Sequence, residues 1–200
     1  MSKTTLWSQA SCVVWEEARS RYPAVLAASG GHRLVELDRW YQQELPATLA
    51  KREPPWLSLA ELIKVVEWKM HRGVYRARNL ALVRSNDPAG VEAVSREAFA
   101  SIPDPIASIA RLARLKGVGP ATASAVLSAL RPDVYPFFDD VIAAEIPELG
   151  SIDFTLKEYA RYSERLRERA ALLAVGCPDG KWTPQAVGSA LWAAAGGKAG

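Results

Sequence analysis

Cysteine, histidine and methionine each occur only twice in the 200 residues. The two cysteines, Cys12 and Cys177, lie far apart, which argues against a disulfide framework or a cysteine-rich metal site. His32 and His71 lack the spacing of a zinc site. No apolar run is long enough to span a membrane, and no N-terminal stretch has the length and apolarity of a signal peptide. A soluble, intracellular protein is therefore expected, in a nucleus or in nucleoid and cytoplasm. The formal net charge is only +3. That excludes a wholly cationic nucleic-acid coat but allows a local phosphate-binding face.

Strand periodicity is missing too. Nearly every segment carries apolar residues at helical spacing. Residues 4–20 (Leu6, Trp7, Ala10, Val13, Val14, Ala18) read as a first amphipathic helix, broken by Ser29-Gly30-Gly31. A second runs over 33–45, and Pro46 disturbs its end. Ser58-Leu-Ala-Glu61 is a capping box that opens a helix ending at Gly73. Short helices near 76–84 and from Asp87-Pro88 to Ala100 follow. Asp104-Pro105, Pro120, Asp140, Phe154 and Thr183-Pro184 start the rest. The expectation is an all-α fold of about ten helices, in one compact and two-lobed domain.

The most specific stretch runs from Leu112 to Leu127. It reads as helix, tight hairpin, helix, with Gly117 and Gly119 on either side of Val118. The glycines supply positive φ, Val118 pins the bend from inside, and Pro120 suits the first position of the next helix. Ala123 lets the helices approach. The amides around Gly117, Gly119, Ala121 and Thr122 then form an anion site at a helix N-terminus, with Lys116, Arg114 and Arg111 adding positive charge. Contacts of this kind hold a nucleic-acid backbone without reading its sequence. The plainer alternative is a tight turn between core helices.

Leu115-Lys116-Gly117-Val118-Gly119, followed after the second helix by Asp139-Asp140, resembles the helix-hairpin-helix DNA glycosylase superfamily over residues 105–147. The resemblance implies a two-lobed helical fold. A hairpin lobe (58–147, hairpin at 115–120) would pack on a second lobe built from 1–57 and 148–200, with a nucleotide-receiving cleft between them. It implies double-stranded DNA as partner and base-excision chemistry on a flipped nucleotide. It also allows Na+ or K+ at the hairpin carbonyls. Two departures qualify it. The position of the family's lyase lysine is Ala121, so only hydrolysis by water is implied. The cysteines are too few for the iron–sulfur cluster of several relatives, which points to the cluster-free branch.

Asp139 and Asp140 are the candidate catalytic residues, and the sequence leaves both open. Asp139 fits by counting from the hairpin. Asp140 fits better by the apolar residues Val141, Ile142 and Ile146 that follow. A carboxylate there would stabilise positive charge developing on deoxyribose and orient a water. Either acid could equally be a helix N-cap. Trp68, Arg72, Tyr75, Arg76 and Phe138 are candidate base or DNA contacts, in a basic, aromatic stretch that could instead be a solvated face and core. The rival function is a non-catalytic helix-hairpin-helix module that binds DNA or a protein.

Overall fold

Capping chemistry marks most helix starts in the computed structural model, which describes residues 5–197. All regular structure among these residues is helical. A 3-10 turn (Leu6–Ser8) leads into α1 (Cys12–Ser20) and α2 (Tyr22–Arg39). As expected, the helix is broken within Ser29–Gly31: Gly31 takes φ +58 and ψ −159, a non-helical conformation that glycine accepts readily, and the two halves of α2 meet there at a kink. A π-type turn (Trp40–Glu44) then carries the helical path from α2 into α3 (Leu45–Ala50), with Pro46 just after it. The first helix begins only at Cys12, and residue 4 of the expected span lies outside the described residues.

The middle of the chain follows its caps. The Ser58–Glu61 capping box opens α4 (Leu59–Arg72), which ends at Gly73. Next come α5 (Ala77–Arg84), α6 (Pro88–Phe99, capped by Asp87) and α7 (Pro105–Leu112, capped by Asp104). The hairpin joins α7 to α8 (Pro120–Leu130). Asp139 caps α9 (Asp140–Ala144), Thr155 caps α10 (Leu156–Gly176), and Thr183 caps α11 (Pro184–Ala194).

One continuous hydrophobic core runs through these elements. α8 is buried along nearly its whole length and forms its axis, against α3, α4 and α7. α1, α10 and α11 bring the two ends of the chain together. Cys12 and Cys177 meet there as a disulfide, with Cα atoms 5.6 Å apart. This corrects the expectation drawn from their separation in sequence: 165 residues of chain return to the same place. No helix among the described residues is long and apolar enough to cross a membrane.

Candidate functional site

A cleft of about 530 Å³ is walled by three chain segments. The first is the end of α4 and the start of α5, with Lys69, Gly73, Val74, Arg76 and Asn79. The second is the hairpin exit, Gly119 to Thr122. The third is Phe137 to Asp140, with Ile152, Asp153 and Phe154 beside it.

The hairpin is fixed from behind by α5. Gly117 has φ +74, and a Cβ there would lie 2.8 Å from the Asn79 carbonyl and 2.9 Å from Val83 Cγ2. Asn86 clamps the turn in both directions: its Nδ2 donates to the Lys116 carbonyl and its Oδ1 accepts the Lys116 N–H, each at 2.9 Å. Val118 is buried in the bend. Gly119 departs from expectation. Its φ of −101° and ψ of −178° are extended backbone open to any residue, and a Cβ would meet nothing within 4 Å.

The predicted amide array is only partly realised. The Thr122 N–H turns back to the Gly119 carbonyl (3.0 Å), which removes it from the array. The N–H groups of Gly117, Gly119 and Ala121 donate to no acceptor among the described residues. Gly119 and Ala121 border the cleft; Lys116, Gly117 and Val118 do not. Lys116 is exposed. The carbonyls of Leu115, Lys116 and Gly119 already accept hydrogen bonds, whereas those of Gly117 and Val118 accept none among the described residues.

Opposite roles fall to the two adjacent acids. Asp139 is buried, 7 % exposed. Its Oδ1 accepts the N–H groups of Val141 (2.9 Å) and Ile142 (3.2 Å), and its Oδ2 pairs with Arg72 Nε at 3.3 Å. Asp140 is exposed on the first turn of α9, in the cleft wall. The loop before them is pinned from three helices. Gln185 Oε1 accepts the Phe137 N–H, Ser124 Oγ accepts the Phe138 N–H, and the Tyr162 hydroxyl donates to the Phe137 carbonyl.

Three expected DNA contacts belong to the core instead. Arg72 is 2 % exposed and lies over the rings of Trp192, Trp68, Phe137 and Tyr22 at 4.2–5.6 Å. Its Nη1 donates to the Tyr22 hydroxyl, which donates on to Asp38. Burial works against its charge, but Tyr22, Asp139 and Asp38 outweigh that and raise its pKa. Trp68 is fully buried. One face stacks on Tyr41 (3.7 Å between centroids), and its Nε1 donates to Asp38. Phe138 is fully buried among Phe154, Tyr159 and Tyr162. Tyr75 is 60 % exposed on the loop after α4, and Arg76 reaches the cleft wall. Sequence reasoning missed Asn86, Gln185 and Phe154. Of these, Gln185 had no local signal, whereas Asn86 stands two residues before a Pro-led helix and Phe154 directly precedes the Thr155–Glu158 capping box.

Among the described residues no three His, Cys, Asp or Glu side chains gather in a group that could hold a metal ion. Compared with known proteins, the chain matches no family model, no curated protein and no solved structure.

Proposed function

We propose that this protein binds double-stranded DNA by its backbone and hydrolyses the N-glycosidic bond of a nucleotide flipped into the cleft, as a monofunctional base-excision DNA glycosylase does. One observation carries the reading: unpartnered N–H groups at the N-terminus of α8 and an exposed carboxylate, Asp140, border the same cleft. Free amides at a helix N-terminus suit a phosphate. A nucleotide so held brings its sugar toward the acid.

In this reaction the bond from C1′ to the base nitrogen breaks, water adds to C1′, and the base leaves with a proton. Positive charge grows on the sugar before water arrives. Asp140 is the better placed acid to oppose it, because it is exposed in the cleft wall, with Oδ1 also accepting the Val141 N–H (3.1 Å), whereas Asp139 is buried and paired with Arg72. Asp139 then serves as the cap and anchor of the helix that carries Asp140. Ala121 leaves no lysine there for strand cleavage. Na+ or K+ at the Gly117 and Val118 carbonyls would add positive charge beside the phosphate and supply no chemistry of its own. The reading carries with it an intracellular, nuclear or nucleoid setting.

Full occupancy of Asp139 also favours a second reading, a binding module of the same fold without chemistry. Duplexes carrying uracil, alkylated or oxidised bases separate the two when incubated with the protein and then heated in alkali. Base release is expected on at least one lesion. Asp140→Asn should slow it by about 10²–10³-fold while duplex affinity stays near wild type. Salt-dependent duplex binding with no release across the panel would establish the second reading instead.

A further inference from the structure

A second cavity, about 500 Å³, lies away from the cleft. The cleft borders the first residues of α8, whereas Pro132, just beyond the last, borders this cavity. The two therefore lie toward opposite ends of a helix about 16 Å long. Pro23, Leu26 and Val35 of α2 give the cavity an apolar wall. Asp38 and Gln185 line its buried part, 7 % and 6 % exposed. Positive charge comes from Arg39, exposed and only loosely paired with Glu44 (3.5 Å), and from Arg19, which donates to the Gly180 carbonyl.

Both buried polar groups are only half used. Asp38 Oδ1 accepts from the Tyr22 hydroxyl and from Trp68 Nε1, each at 2.9 Å, while Oδ2 accepts no hydrogen bond among the described residues. Gln185 Oε1 accepts the Phe137 N–H at 2.9 Å, while its Nε2 is buried and donates to nothing among them. A buried amide donor without an acceptor is costly, and native structures rarely leave one so. The cavity thus offers an open acceptor, an open donor, an apolar wall and a cation at its edge. The complementary ligand has an N–H beside a C=O on a small ring, and an anionic group at its other end. A lactam ring bearing a phosphate or carboxylate has these parts, and about 500 Å³ is within the size range of small-molecule sites.

We infer that this cavity binds a small organic anion with a lactam edge, its N–H on Asp38, its carbonyl on Gln185 and its anionic group toward Arg39. The site stands whether or not the protein binds DNA. Its occupancy reaches the cleft through the same two side chains. Gln185 holds the Phe137 N–H, and Asp38 is joined through Tyr22 and Arg72 to Asp139. A ligand that fixes Gln185 also steadies the loop that leads to Asp140.

The test is calorimetric titration of the full chain with uridine 5′-monophosphate, a lactam with a phosphate, and orotate, a lactam with a carboxylate. At least one should bind with a Kd below about 1 mM, and the tighter of them identifies the anion. Uracil, which lacks the anion, and ribose 5-phosphate, which lacks the ring, should each bind at least about tenfold more weakly. Ala186→Trp, which fills the cavity from a half-buried position, should abolish binding. Arg39→Glu, on an exposed side chain, should weaken it at least about fivefold, and Gly119→Asp, in the cleft, should leave it unchanged. At saturation, hydrogen exchange of the Phe137 amide should slow by at least about threefold. No binding of either anion at about 10 mM, or binding that survives both Ala186→Trp and Arg39→Glu, overturns the site. Binding with Phe137 exchange unchanged overturns the seating on Gln185.

Discussion

Arg72→Met is expected to lower the free energy of unfolding by about 3–5 kcal/mol, the range for breaking one partner out of a buried ion pair. The guanidinium is enclosed by four aromatic rings and joined to Asp139 and to the Tyr22 hydroxyl. Methionine fills much of the space, but Asp139 Oδ2 loses its partner in a nearly closed site. The Tyr22 hydroxyl loses its hydrogen-bond donor, and Asp38 loses the nearby positive charge. Urea denaturation of Arg72→Met, Asp139→Asn and the double variant measures the effect. The double variant should be less destabilised than the sum of the singles, because the two residues share one interaction. A single-variant loss under about 1 kcal/mol would mean that Arg72 is held by its rings alone.

Gly117→Ala should cost about 2–4 kcal/mol, whereas Gly119→Ala should stay within about 0.5 kcal/mol of wild type. Two independent penalties meet at Gly117. Its φ of +74° is strained for any residue with a Cβ, and that carbon would press on a backbone carbonyl of α5, which cannot rotate away. Gly119 carries neither penalty. Chemical denaturation of the two variants side by side checks the contrast. Equal losses would refute the assignment of one glycine to folding and the other to access.

That contrast shows where sequence reasoning reached and where it stopped. Local chemistry was legible: Ser58–Glu61, Asp87-Pro88 and Asp104-Pro105 start helices where a cap and a proline demand it. The hairpin was legible as a pattern, but the pattern treats its glycines alike. Only the docking of Gly117 against α5 separates them. Arg72 and Trp68 were candidates for DNA because a basic, aromatic stretch suits a nucleic-acid face, with core as the open alternative for the ring. Their spacing from Val65, a core residue on the same face, was the contrary signal. A buried arginine becomes plausible only once Asp139, 67 residues away, is known to meet it.

Long-range pins were invisible for the same reason. Nothing near Gln185 marks it as the acceptor for the Phe137 N–H, 48 residues earlier. The Cys12–Cys177 contact likewise exists only after α1, α10 and α11 have gathered the ends of the chain. Phe154 gives no hint of its left-handed backbone (φ +59), because phenylalanine avoids it. The hint lay in Thr155 and Glu158, whose capping box reaches past the cap to Asp153.

The grip of the hairpin on a phosphate can be separated from the stability of the fold at Gly119, where a side chain meets open space. Duplex affinity measured against salt, for wild type and Gly119→Asp, makes that separation. Wild type should bind at about 50 mM salt and weaken steadily as salt rises. Gly119→Asp should unfold at the wild-type denaturant concentration yet bind at least about tenfold more weakly, since its carboxylate sits where the phosphate would. Equal binding by the two proteins, or no binding by wild type at low salt, would contradict the backbone grip.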